Sequence, residues 1–207
     1  MAKKKIKRKK KGLSPEIVHQ NKILRNILLS VGIIILLILC FIIFFNSVGK
    51  FTYENIKFST VKEGNLILYQ TGVPVVYNGE HVPYNFYIRN DPRKLNEMVP
   101  FIGNLTLTKF MVINSSEQLA CGGDSTIAIA NMASLYGVIG AKVMKDENAS
   151  CDELGRYTYL NIFPSNKTEI EQYGPSCYNF YVNNCEILKT TERYMVETFV
   201  KVGEITD

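Results

Sequence analysis

The sequence predicts a single N-terminal transmembrane helix followed by one α/β or α+β extracytoplasmic domain with a mixed sheet. Three observations carry that prediction. Ile27 to Phe45 runs for nineteen residues without a charge, and fifteen of them are Ile, Leu or Phe. Charge is partitioned around this run, +9 up to Phe45 and −4 from Asn46 onward. Beyond it, short alternating runs give way to one apolar stretch of helical period and then to alternation again. A chain of 207 residues has room for one ordinary domain plus an appendage. With 46% hydrophobic and 21% charged residues it fits neither a disordered nor a collagen-like chain.

At 1.5 Å per residue, an apolar bilayer core of about 30 Å needs about twenty residues, so Ile27 to Phe45 is long enough to span. The expected organisation is a basic cytoplasmic tail at 1–26, a transmembrane helix at 27–45 and an extracytoplasmic domain at 46–207. Lys22, Arg25 and eight basic residues between Lys3 and Lys11 precede the span, which places the N-terminus in the cytoplasm of a single-pass cell-membrane protein. The net +5 therefore belongs to the tail. Its expected partner is the anionic headgroup layer, and no specific nucleic acid is expected. A cleaved signal is the first rival, because Ser47-Val48-Gly49 is a small-x-small triplet, but the apolar run exceeds the about 7 to 15 residues of a signal core. A lipoprotein is excluded because Cys40 lacks a small residue before it and Phe41 continues the apolar run. Lys11-Gly12-Leu13-Ser14-Pro15 resembles the processing site of archaeal type IV pilins, yet the charges from Glu16 to Arg25 would then enter the filament core.

Within the domain, Leu66 to Tyr69, Val73 to Tyr77 and Tyr84 to Ile88 read as strands, with Asn78-Gly79 as a turn. Leu105 to Ile113 is the strongest strand signal. Asn90-Asp91-Pro92-Arg93 reads as a helix start, Asp as cap and Pro at the first helical position. Asp124-Ser125-Thr126 opens an apolar helix to about Val138, which should lie in the centre of the core because Ile127, Ile129, Met132, Leu135 and Val138 cover most of its circumference. Ala141 to Met144 and Tyr157 to Phe163 follow as strands, Asn166 to Tyr173 as a short helix and Tyr178 to Val182 as a strand. Asn183-Asn184 would turn the chain into Cys185 to Leu188. Thr190-Thr191-Glu192 opens an amphipathic helix with Tyr194, Met195, Thr198, Phe199 and Val202 on one side.

Four cysteines, Cys121, Cys151, Cys177 and Cys185, lie beyond the span, and an even number in an oxidising compartment predicts two disulfides of open connectivity. No metal is expected, because no cysteine pair has knuckle spacing and the chain has only His19 and His81. Asn104, Asn114, Asn148 and Asn166 each begin an Asn-x-Ser/Thr sequon and are candidate glycosylation sites.

The candidate chemistry sits at Cys121-Gly122-Gly123-Asp124-Ser125. Free amides at a helix start could bind an anion at Gly122, Gly123, Asp124 and Ser125, or activate a Cys121 thiol with His81 as base. The competing reading is a disulfide beside a helix cap. Asp146, Glu147, Asp152 and Glu153 are four acids without ordered ligand spacing and read as a solvated loop. Dinucleotide, P-loop and HExxH motifs are absent, and no cofactor is expected.

The stretches FYIRNDPRKL, CGGDSTIAIANMASLYGVIGAKVM and CYNFYVNNCEILKTTERYMVETFV resemble single-pass membrane proteins of small-genome archaea, a family without an assigned activity. The resemblance implies an archaeal cell-surface setting and transfers no catalytic residue. The expected function is that of a membrane-anchored surface domain binding a protein partner, or an accessory subunit of an envelope assembly. An exported enzyme using the Cys121 helix start and a pilin-like filament subunit are the alternatives.

Overall fold

The computed structural model describes residues 15–77, 79–115, 119, 121–144, 146 and 148–206. The basic run and most of the pilin-like motif lie outside them, as does Asn78 of the expected turn. The chain divides into two compact units, Met1–Val48 and Gly49–Asp207. The first contains one helix, α1 (Pro15–Ser47). Its stretch Leu24–Ile43 is long and apolar enough to cross a membrane, and none of it is buried.

The second unit is a mixed α/β domain with two sheets where one was expected. The first sheet is an antiparallel meander of β1 (Lys50–Tyr53), β2 (Ile56–Glu63), β3 (Leu66–Tyr77) and β4 (Glu80–Ile88). The two runs read as separate strands at Leu66 and Val73 are one, because Gly72 stays in the ladder opposite Asn85. A Cβ at Gly72 would meet Pro83 Cβ at 3.0 Å. Next comes α2 (Pro92–Met98), whose N-cap is Asp91 with Pro92 following, as expected. The Asp91 carboxylate accepts from Arg93 N at 3.0 Å and from its guanidinium at 2.7 Å.

The second sheet is built from β5 (Phe101–Ile102), β6 (Phe110–Ser115), β7 (Lys142–Met144), β8 (Thr158–Pro164), β9 (Glu169–Gly174) and β10 (Cys177–Val182). Its order is β5-β9-β10-β8-β6-β7. It is mixed: β10, β8, β6 and β7 run parallel, and β9 is antiparallel to β10. Two strand readings move. Leu105 to Lys109 stays outside the ladder: Thr106 N donates to Tyr178 Oη at 2.8 Å, and the Thr108 hydroxyl donates to Phe110 O at 2.6 Å. The expected helix at Asn166 to Tyr173 is instead β9, held between β5 and β10, and sheet pairing overrides its helix-like spacing.

Two helices complete the domain, α3 (Gly123–Val138) and α4 (Ile187–Thr206). They form a middle layer between the sheets. Phe199 of α4 meets Phe86 of the meander at 5.6 Å between ring centroids, and Tyr194 meets Phe180 of β10 at 5.2 Å. This corrects the place of the core. The central helix is α4, buried on all sides from Ile187 to Val196 apart from Lys189, whereas Ile127, Ile129 and Val138 of α3 are only partly buried. Tyr136 bridges the pair, its hydroxyl 2.8 Å from that of Tyr194, and burial pushes its pKa up to about 12. The expected hairpin at Asn183-Asn184 is also replaced. Asn184 and Cys185 take positive φ, and the chain turns directly into α4. Thr190 and Thr191 therefore lie inside α4, their hydroxyls donating to Glu186 O and Ile187 O at 3.0 and 2.9 Å.

Candidate functional site

The cysteines pair as Cys121–Cys185 and Cys151–Cys177, with Cα atoms 5.4 and 5.6 Å apart. The first bridge ties the start of α3 to the start of α4. The second lies across β10, where Gly174 of β9 is opposite Cys177. Only glycine fits there, because a Cβ at Gly174 would stand 2.5 Å from Cys151 Sγ.

Gly122, Gly123, Asp124 and Ser125 gather at the start of α3, but not as a side-chain cap. The N-cap is Gly122 at φ +60°, without a side-chain bond. Ser125 turns back instead, its Oγ donating to Leu119 O at 2.8 Å and accepting from Cys121 N at 3.3 Å. Asp124 stands in the first turn, where a carboxylate itself answers the helix dipole, and Arg89 Nη1 is 3.1 Å away. A pocket of about 260 Å³ opens between Arg89, Asp124, Cys185, Glu186 and Lys189. With Cys121 Sγ in a disulfide, this corner has no thiol nucleophile. His81 lies in β4, and its side chain is outside the described set.

Sequence reasoning missed the group beneath this corner. Glu192 in α4 is 1% exposed, and its carboxylate accepts from Arg89 N at 2.7 Å, Asn90 N at 2.9 Å and Asn90 Nδ2 at 2.7 Å. Burial raises its pKa, and the three donors oppose that rise. Its role is to fasten the β4–α2 connection to the central helix. The signal in the sequence was faint: an acid two residues before a run, Tyr194 to Phe199, that reads as core.

The acidic loop separates. Asp152 binds Arg156 through its guanidinium at 2.8 Å and its amide at 2.6 Å, and these donors hold the carboxyl down to about 2. Glu147 lies outside the described residues. Among the described residues no three His, Cys, Asp or Glu side chains converge as a metal site requires.

Among the described residues, the face of the six-stranded sheet turned away from α3 and α4 is covered at one end, where Val112, Tyr159 and Cys177 pack under Ala149, Cys151 and Tyr157. Beyond that cover it carries an amide ladder in one register row, Asn114, Asn161 and Asn179. Asn161 Nδ2 donates to Asn179 Oδ1 at 3.2 Å, and Asn114 Nδ2 donates to Tyr159 Oη at 3.0 Å. Beside the ladder, Phe163 meets Tyr181 edge-on at 4.8 Å, and Tyr181 Oη donates to Glu171 at 3.0 Å. Four sequon asparagines, Asn104, Asn114, Asn148 and Asn166, are all exposed, but the Asn114 amide is already engaged in the ladder. A cleft of about 860 Å³, lined by Val73, Leu107, Phe110, Val138 and Ile205 among others, contains none of the sequence-predicted site residues.

No family model, no curated protein and no solved structure matches this chain, so its function must be argued from these surfaces.

Proposed function

We propose that the chain is a single-pass membrane protein with a cytoplasmic N-terminus, whose domain Gly49–Asp207 stands outside the cell membrane and binds a protein partner. One observation carries this reading: every side chain from Leu24 to Ile43 is exposed. Leaving large aliphatic side chains in water costs about 1.5 to 3 kcal/mol each, so this helix needs an apolar solvent or a partner along its whole length. The charge partition supports the orientation, and two disulfides support an oxidising compartment for the domain. The resemblance to single-pass proteins of small-genome archaea supports a cell-surface setting and a place as an accessory subunit of an envelope assembly.

The open sheet face supports partner binding. Aromatic rings beside amide groups supply contact area and hydrogen bonds at low conformational cost, the composition of a protein interface. Protease added to intact cells should remove Gly49–Asp207 and spare the basic tail; the opposite pattern overturns the orientation. In capture from native membranes, Asn161→Arg with Tyr181→Ala should lose the partner recovered by the parent chain. Recovery of the same partner with both changes in place overturns the assignment of this face.

A further inference from the structure

The meander contains an overhang. β1 starts at Lys50, opposite Ser59, and Thr60 N donates to Gly49 O at 2.7 Å, so β2 loses its outer neighbour at Thr60. On the other side β4 stops at Ile88, opposite Tyr69. Thr60 and Tyr69 are themselves partners. Both flanking strands thus end at one rung, and Val61 to Leu68 continues past it as a ribbon of two strands closed by Gly64-Asn65. At about 3.4 Å per residue, the three residues and the turn reach about 12 Å beyond the sheet.

This tip is apolar where a tip in water is polar. Leu66-Ile67-Leu68 are consecutive, and Leu66 and Ile67 are 53% and 55% exposed. Successive strand residues point to opposite faces, so the ribbon shows aliphatic surface on both, Leu66 beside Glu63 on one and Ile67 beside Lys62 on the other. Lone exposed aliphatics are ordinary, but a run of them at a projecting tip calls for a solvent other than water.

The overhang is at the Gly49 end of β1, the end at which the chain arrives from α1. Only Val48 and Gly49 separate the end of α1 at Ser47 from Lys50. From Ile43, the last residue of the apolar stretch, four helical residues and the two turn residues Val48 and Gly49 lead to Lys50, a tether of at most about 13 Å. The headgroup layer is about 5 to 7 Å deep on each side of the hydrocarbon. A tether this short keeps the start of β1 close to the headgroup layer, and the tip, about 12 Å long, is of the same length as the tether.

Resting on the membrane-anchor reading above, we propose that the β2–β3 tip, with Leu66 and Ile67, is seated in the outer lipid interface. It serves as a second, non-covalent foot that fixes how the domain stands on the bilayer. Lys62 places an ammonium at the headgroup level on the same ribbon face as Ile67. The occupant is lipid acyl chain and headgroup.

The chain contains no tryptophan, so one introduced residue reports alone. The full chain is reconstituted in vesicles of phosphatidylcholine and phosphatidylglycerol, with and without brominated acyl chains. Three variants are compared: Ile67→Trp at the tip, Leu37→Trp in α1, and Leu154→Trp at a loop residue 77% exposed. Each changes an exposed side chain, and Leu66→Trp repeats the reading from the other ribbon face. Emission from Ile67→Trp and Leu37→Trp should be lost to the brominated chains, and that from Leu154→Trp only to aqueous iodide. If Leu37→Trp is quenched by bromine while Ile67→Trp and Leu66→Trp behave as Leu154→Trp does, the tip is in water and the inference fails with the anchor intact. If Leu37→Trp also escapes bromine, the anchor reading fails and this inference falls with it.

Discussion

The helices α3 and α4 lie side by side in the middle layer, yet composition and burial are inverted between them. Asp124 is the only charged residue of α3, while α4 contains Lys189, Glu192, Arg193, Glu197, Lys201 and Glu204. Even so, α3 buries only Ala128, Met132, Leu135 and Tyr136, and α4 buries Glu192 and Arg193 along with its aromatics. Place in the layers decides this. Contacts from both sheets close over α4, and the charges it carries inward have appointed partners. Glu192 has the Arg89 and Asn90 donors, and Arg193 has Glu197 and Asn96. A helix can be charged and central when its buried charges have partners: Glu192 is met wholly from the β4–α2 connection, while Arg193 is met by Glu197 of its own helix and Asn96 of α2, with its Nε left without a hydrogen bond among the described residues.

This inversion can be broken by experiment, with unfolding of the full chain in urea, in detergent, as the common measurement. Tyr194→Ala removes the ring that touches Phe101, Tyr136, Tyr178 and Phe180, and it should cost about 4 to 5 kcal/mol. Replacing Cys121 and Cys185 together by Ser opens a loop of sequence separation 64 and should cost about 4 kcal/mol. Glu192→Ala leaves backbone donors at Arg89 and Asn90 without an acceptor, for about 3 kcal/mol. Glu192→Gln should recover only part of this, because its amide can turn one oxygen, but not two, toward those donors. Ile129→Ala on partly buried α3 should cost about 1 kcal/mol. A larger loss there than at Tyr194 would reverse the assignment of the central helix. Asp124→Ala, removing an exposed ion pair and a first-turn acid but no cap bond, should cost about 0.5 kcal/mol.

The smallest effect is one of pH. The folded state holds the Asp152 carboxyl below its ordinary 3.8, at about 2, so folding favours its ionised form. That stability is complete above the ordinary value and is lost as pH falls through about 2. The Tm of Asp152→Asn should therefore lie below that of the parent chain at pH 6, and the gap should close between pH 4 and pH 2. A gap of constant size would mean that Arg156 binds the side chain by shape and not by charge.

Much of the fold was legible because it is local. The α2 cap, the α3 span, β7, β8, β10 and the apolar run all follow from patterns of ten or so neighbouring residues. What was hidden is set by partners distant in sequence. Glu169 to Tyr173 becomes a strand because β10 and β5 flank it, and Leu105 to Lys109 lies outside the sheet, where the Tyr178 hydroxyl takes the Thr106 amide. The site divides in the same way. The gathering of Gly122 to Ser125 at a helix start was readable, whereas Cys121 joining Cys185, and Glu192 beneath both, depends on how α4 docks. The amide ladder was invisible for the same reason, since Asn114, Asn161 and Asn179 become neighbours only through register.

The order of strands in the larger sheet also sets a timetable. The strand at its centre, β10, comes after every other strand in the chain, and α4, which fills the middle layer, comes after β10. During synthesis the contiguous meander can pair as soon as it is made. By contrast β6, β7 and β8 can pair with one another, but the edge that β10 fills and the face that α4 covers stay open until residues beyond Cys177 arrive. The larger sheet is therefore completed late, and any pause before β10 leaves a ribosome-bound chain whose half-built sheet is open to aggregation and to premature pairing of Cys121 with Cys151.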